Sequence, residues 1–266
     1  MTNAFQAHGA IWPLRIVSDS MAAYYTHQVQ KAQAEHNLMQ SDYRCKAQVL
    51  FPFLNEIIQK PAMKHIVTEL LGPDVHCWDT LFWNKKAGDG HFVSFHQDAT
   101  YWNFAPKDAV TVWFSFNGST EEKGAIRYML GSHLQKQREH RDIKAEGNLL
   151  MRGQTVEMQI RKSTIATVPA GCVSIHHPHI IHGSGPNVSK EDRIACGFIF
   201  AAGHVKPILN RARERTLWVY GEDKYGYFDH DPVPDVDIAA NIPAWQLAYD
   251  TQHANYYHME HAVFEK

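Results

Sequence analysis

Residues 109–117 read Ala-Val-Thr-Val-Trp-Phe-Ser-Phe-Asn, nine positions with no Gly or Pro and six of them β-branched or aromatic. Such a run favours a buried strand. The same texture recurs on both sides. HCWDTLFWN at 76–84 precedes it, and shorter runs follow at 125–129, 164–168, 172–176 and 194–201. Turn residues separate them: AGDG at 87–90, GST at 118–120 and PAG at 169–171. Many short strands with such punctuation imply a sandwich, a barrel or a jelly roll.

The flanks read differently. Residues 18 to about 37 are rich in Ala, Gln and Lys and predict a helix, with Ser18 or Ser20 as N-cap. Leu54, Ile57 and Ile58 recur at helical spacing, and Pro61 opens a further helix that Gly72 ends. The first quarter is therefore expected to be mostly helical. Gln135 to Gly153 is polar and predicts a long excursion between strands. The segment from Ile208 onward predicts part helix and part loop, with an acidic, proline-bearing run at 229–237. No repeat or long linker breaks the chain. One domain over 1–266 is expected: a helical part to about 72, a β core over about 73–205 and a C-terminal extension over about 206–266.

The 266 residues are 44% hydrophobic with a net charge of -2, which suits a globular protein and argues against nucleic-acid or membrane partners. No apolar run approaches the roughly 18 residues of a membrane helix. The N-terminus lacks a basic segment followed by an apolar one, so a cytoplasmic location is expected. Cys45, Cys77, Cys172 and Cys196 show no CxxC spacing and are expected to be reduced core residues.

Two segments carry chemistry. His96-Gln97-Asp98 places an imidazole and a carboxylate two positions apart, on one side of the chain if it is a strand. His182 begins HGSGPN, and Arg193 follows eleven positions later. Two histidines and one carboxylate with open positions match the facial triad of non-heme Fe(II) oxygenases. His176, His177 and His179 compete with His182, but most of them are expected to be structural. An Arg entering an apolar interior requires an anion. A surface ion pair with Glu191 or Asp192 is the competing reading of Arg193. The same ligands could instead hold Zn or Ni in a catalytic zinc site or a non-catalytic jelly-roll binding protein.

The motifs LGPDV, NKKAGDG, FHQDATYW, VTVWFSFN, GAIRYMLGSH and PAGCVSIHHPHIIHGSGPN occur in this order, closed by RIACGF. Over about Leu71–Phe200 the chain resembles the phytanoyl-CoA dioxygenase family of Fe(II)/2-oxoglutarate oxygenases. The resemblance implies a mainly β fold with flanking α-helices, the double-stranded β-helix or cupin-like jelly roll. It implies His96, Asp98 and His182 as iron ligands and Arg193 as partner of the distal 2-oxoglutarate carboxylate, with Ser184 on the same group. Trp113 and Asn84 are further candidates for the 2-oxoglutarate site. Fe(II), 2-oxoglutarate and O2 would be the cofactor and co-substrates. Halogenating relatives carry Ala or Gly where Asp98 stands, so a hydroxylase is expected. Tyr101, Trp102, Phe104, Trp83 and Arg127 are candidates for the substrate pocket, with Trp78 and Asp79 behind them.

A small polar metabolite or an alkaloid-like natural product is the expected substrate. Aminoalkylphosphonate- or amino-acid-type hydroxylation, and desaturation or cyclisation by the same chemistry, are the alternatives. No basic patch for coenzyme A is evident. The terminal Phe264-Glu265-Lys266 is not an SKL-type peroxisomal address.

Overall fold

Strand pairing organises the molecule. The computed structural model describes residues 1–36, 42–135, 137–160 and 162–256. It divides into two compact units. The first contains Met1–Met39, Phe82–Thr100 and Thr111–Gly197; the second contains Gln40–Leu81, Tyr101–Val110 and Phe198–Lys266.

In the first unit two antiparallel sheets build the interior. In one, Ala10–Arg15 pairs with Cys172–His176, which pairs in turn with the strand Ala109–Ser115, setting Ser174 opposite Trp113. In the other, the order is Val93–His96, His182–Ser184, Ile126–Tyr128 and Thr164–Ile165. Trp113, Cys172 and Ala195 share one apolar cluster with Ile126, Tyr128 and Ile180. This is how two half-apolar sheets remove their inner faces from water.

Every residue of Ala109–Ser115 and of Cys172–His176 is buried, so both faces of that sheet are covered. The helix Asp19–His36 shares this unit and buries Ala22, Tyr25, Val29 and Ala32, whose spacing of three and four forms one stripe. Thr26 donates from Oγ1 to the Phe116 carbonyl at 3.0 Å. The Ser18 hydroxyl accepts the Met21 N–H at 3.3 Å, as the cap reading requires. Asn37, the last residue of the expected helix, lies outside the described residues, as do Lys136 in the polar excursion and the terminal Phe264-Glu265-Lys266.

The second unit holds helices Pro52–Ile58, Pro61–Leu71 and Ile238–Tyr256, and the strand Arg215–Tyr220 paired with Val75–Phe82. Gly72 ends its helix with φ 86° and donates its N–H to the Thr68 carbonyl. Lys46, fully buried, donates to the carbonyls of Trp78 and Arg215. Glu214 accepts from Trp78, Asn103 and Asn255.

Three regions hold strands that the sequence did not announce. The first quarter is mostly helical, as expected, but Ala10–Arg15 is a strand. It lies at the sheet edge, where Pro13 removes no ladder hydrogen bond that is needed. The excursion after Gln135 carries a hairpin of His140–Asp142 with Gln154–Val156. The tail after Ile208 carries the strand Arg215–Tyr220 as well as helix and loop. Cys45, Cys77, Cys172 and Cys196 are free and buried, as expected. Among the described residues, no helix is long and apolar enough to cross a membrane.

Candidate metal centre

His182 stands directly opposite His96 in the pairing of His182–Ser184 with Val93–His96. Side chains of directly opposed residues leave the sheet on the same face. Their rings accordingly lie 4.3 Å apart, centroid to centroid. Gly183 allows the close approach: a Cβ there would lie 2.8 Å from the Val93 carbonyl oxygen.

Asp98 arrives by a different route from the one its spacing suggests. The strand ends at His96, and Asp98 begins a short 3-10 turn, Asp98–Thr100. Strand alternation therefore does not bring His96 and Asp98 together; the turn does. Buried Gln97 holds that turn by donating to the His179 carbonyl at 2.7 Å and accepting the Arg138 N–H at 2.8 Å. Ala99 donates its N–H to the Pro178 carbonyl.

One Asp98 oxygen, Oδ1, lies 3.2 Å from His96 Nε2 and 3.6 Å from His182 Nε2. One ligand atom from each of the three residues falls within 4.8 Å of the others, and they form the only such metal-competent group among the described residues. Each Nδ1 faces a backbone carbonyl, Ser94 at 2.8 Å and Ile180 at 3.1 Å. An Nδ1–H so engaged leaves the Nε2 lone pair free for a metal. Burial, then the neighbouring His96, lower the His182 pKa well below the ordinary value, which favours the neutral ring that a metal requires. Burial pushes the Asp98 carboxyl up, but His182, His176 and His96 together hold it well below the usual carboxylate range. The donor set is thus two imidazoles and one carboxylate, which fits Fe(II).

Two cations stand beside this centre. Lys85 and Arg193 face each other across an antiparallel bridge, each donating its N–H to the other's carbonyl at 2.8 Å. Lys85 is 0% and Arg193 1% exposed, yet no carboxylate of the described residues makes an ion pair with either. Glu191 pairs with Lys123 and Asp192 with Lys86, so the surface reading of Arg193 is overturned. Arg193 donates to the Gly124 and Trp83 carbonyls, and its Nε is buried without a partner. Its guanidinium carbon lies 5.3 Å from the Trp113 ring. Lys85 Nζ donates to Ser184 Oγ at 2.7 Å and to the Gly185 carbonyl. Burial lowers the Arg193 pKa to about 9. Burial and the charge of Arg193 lower that of Lys85 to about 6. A buried guanidinium with no ion-paired carboxylate among the described residues is costly, and an arriving anion would offset that cost.

Ser184 follows His182 by two on the same strand, so both leave the same face, roughly 7 Å apart along the chain. Asn84 has another task in this structure, accepting the Ala195 N–H at 3.1 Å. Trp83 is partly buried against the Trp113 cluster. Arg127 is not brought to the centre. It alternates with buried Ile126 and Tyr128, and its guanidinium meets Glu121 at the surface. In the second unit, Tyr101, Trp102 and Phe104 are all buried, and Trp102 and Phe104 stack on each other at 5.4 Å.

A family model described as phytanoyl-CoA dioxygenase matches residues 14–195. The chain belongs to the phytanoyl-CoA dioxygenase family. That family is one of non-heme iron, 2-oxoglutarate-dependent oxygenases. Among curated relatives, a probable alpha-ketoglutarate-dependent hypophosphite dioxygenase of Stutzerimonas stutzeri is 25% identical over 162 residues, 60% of this chain and 56% of that one. The chain spans about half the length of the curated phytanoyl-CoA dioxygenase relatives it matches. Among solved structures, the non-heme monooxygenase ThoJ, without metal, superposes with TM-score 0.87 at 23% identity, over 98% of this chain and 99% of that one. The carbocyclase SnoK of nogalamycin biosynthesis gives TM-score 0.64 at 17% identity, over 77% and 84%. These likenesses make the fold the cupin-like jelly roll with flanking helices.

Two residues to which the sequence reading gave no role touch this group: His176 meets Asp98 and Lys85 meets Ser184. Lys85 was hidden because a lysine in a polar turn reads as solvated. His176 was hidden among its neighbours; the alternation of a fully buried strand was the available signal.

Proposed function

We propose that the protein is an Fe(II)/2-oxoglutarate-dependent dioxygenase that hydroxylates a C–H bond of a small polar metabolite, with natural products included in that class. In this reading His96 Nε2, Asp98 Oδ1 and His182 Nε2 hold the iron. Arg193 and Lys85 hold the distal carboxylate of 2-oxoglutarate, with Ser184 bridging to it and Trp113 walling the cavity. The observation that carries the reading is a two-histidine, one-carboxylate group whose His182 shares its strand with Ser184, which meets buried Lys85, itself paired across a bridge with buried Arg193; Arg193 makes no carboxylate ion pair among the described residues.

Bound iron supplies oxidative decarboxylation of 2-oxoglutarate with O2, giving succinate and CO2, and the oxidising power spent on the substrate carbon. The chain supplies the rest. His96 and His182 are oriented by the Ser94 and Ile180 carbonyls at their Nδ1 atoms. Lys85 and Arg193 orient the co-substrate, and Trp113 and Ile126 keep water from it. We further propose that the whole chain acts as one oxygenase domain, its β core over about 73–205 carrying the site. Cyclisation stays as a second outcome of the same chemistry, since a carbocyclase shares the fold.

The test loads the protein with Fe(II) under anaerobic conditions, admits 2-oxoglutarate and O2, and measures succinate. Succinate that requires both Fe(II) and His182 supports the proposal. Tight Zn(II) binding without succinate would make this a zinc or storage protein on the shared scaffold.

A further inference from the structure

The second oxygen of Asp98 is as tightly engaged as the first. Oδ2 accepts the Thr111 hydroxyl at 2.8 Å and lies 3.1 Å from His176 Nε2. His176 Nδ1 lies 2.9 Å from the Tyr128 hydroxyl, which lies 3.0 Å from Ser174 Oγ. His176, Tyr128 and Ser174 are at most 1% exposed. Burial pushes the Tyr128 phenol up, so it remains an O–H donor. One direction satisfies every atom: Ser174 donates to the Tyr128 oxygen, Tyr128 donates to His176 Nδ1, and His176 Nε2–H donates to Asp98 Oδ2. Sheet register builds this chain, because Ser174 and His176 lie two apart on one buried strand and Tyr128 lies opposite His182.

We infer that His176 is a positioning residue that fixes Asp98 as a one-oxygen metal ligand. The inference rests on the iron reading above. With Oδ2 held by two donors, only Oδ1 is available on the side of His96 and His182. A carboxylate that swung to offer both oxygens would take a coordination position that 2-oxoglutarate or O2 needs. Thr111 alone supplies one short hydroxyl donor. The imidazole supplies a second donor whose own direction is set by Tyr128, and the rigid ring stands 4.4 Å from the His182 ring. Hydrogen-bond donors behind a metal ligand both orient it and tune its basicity.

The test compares His176→Phe, His176→Gln, Tyr128→Phe and Thr111→Val with the native protein. Fe(II) affinity is measured anaerobically, and 2-oxoglutarate is then titrated while the weak visible charge-transfer band of the chelate is followed. A urea transition on each metal-free variant establishes that it is folded. His176→Phe is expected to weaken Fe(II) binding about 10- to 100-fold and to shift or bleach the band. His176→Gln, which retains an N–H donor, is expected to restore both. Tyr128→Phe, which keeps the ring and removes the donor to Nδ1, is expected to fall between them. If His176→Phe does not fold, Tyr128→Phe and Thr111→Val carry the same test.

A native band with unchanged affinity and band position in His176→Phe would overturn the positioning role and leave the oxygenase reading intact. Equal loss in His176→Phe and His176→Gln would overturn it too, since the imidazole would then matter as a ligand rather than as a donor. No band in the native protein would remove both readings together.

Discussion

Lys85→Met is expected to stabilise the ligand-free protein while weakening its response to 2-oxoglutarate. Burial, and Arg193 beside it, lower the Lys85 ammonium from the usual 10.5 to about 6. Between those values the unfolded chain holds a proton that the folded chain has shed. The group therefore costs stability through that window, and the cost shrinks as pH rises. At about 1.4 kcal/mol per pH unit, the cost is roughly 4 kcal/mol near pH 7.5 and roughly 2 kcal/mol near pH 9. Against it stand the hydrogen bonds from Nζ to Ser184 Oγ and the Gly185 carbonyl. Together these contribute about 2 kcal/mol net. Methionine fills the same length without charge. The variant should gain about 2 kcal/mol near pH 7.5, a rise of roughly 4–8 °C in melting temperature, and nothing near pH 9. Measured against Fe(II) alone under anaerobic conditions, added 2-oxoglutarate should stabilise the native protein more than the variant. Melting at both pH values, with and without ligand, reads all four quantities. Equal destabilisation of the variant at both pH values would refute the reasoning, because Lys85 would then be a satisfied structural ammonium.

Other expectations follow from the same geometry. Because Lys85 is largely neutral above about pH 6 in the free protein, an arriving dicarboxylate should restore its charge. Binding near pH 7.5 should then take up close to one proton, and affinity should fall as pH rises, by up to about tenfold per unit; calorimetry in buffers of differing ionisation enthalpy measures the uptake, and zero would count against the pairing. Gly183→Ala should force the His182 and His96 strands apart, since the new methyl would sit 2.8 Å from the Val93 carbonyl. A loss of about 1–3 kcal/mol in urea unfolding and a weaker Fe(II) titration are expected. Gln97→Leu removes both side-chain ties of the Asp98 turn. It should cost about 1–3 kcal/mol by urea unfolding and lower Fe(II) affinity before it alters overall secondary structure.

Much of this was readable from residues, and the remainder has identifiable causes. Val112, Trp113 and Phe114 announced a buried strand because β-branched and aromatic residues leave few other options. Gly72 and Pro61 marked helix ends for stereochemical reasons, and the helices stop and start there. The strand at Ala10–Arg15 was concealed by Pro13, which only an edge tolerates, and no local signal says which strand will be an edge. His96, Asp98 and His182 were visible as residue types, but their convergence depends on a cross-strand register and a 3-10 turn. Lys85 was not visible, because only its pairing opposite Arg193 shows that its charge is buried. Trp102 and Phe104 read as aromatic walls by their nearness to Asp98 in sequence, yet both are buried and stacked on each other.

The central claim is that a two-histidine, one-carboxylate iron site and a carboxylate-binding cation pair form one catalytic cavity. The most direct measurement is an anaerobic titration of Fe(II)-loaded protein with 2-oxoglutarate, in the native chain and in Arg193→Ala, recording the visible charge-transfer band. The account predicts a band in the native protein that saturates, and that in Arg193→Ala is lost or demands far more 2-oxoglutarate. Absence of the band in the native protein, or saturation unaffected by loss of Arg193, would contradict it.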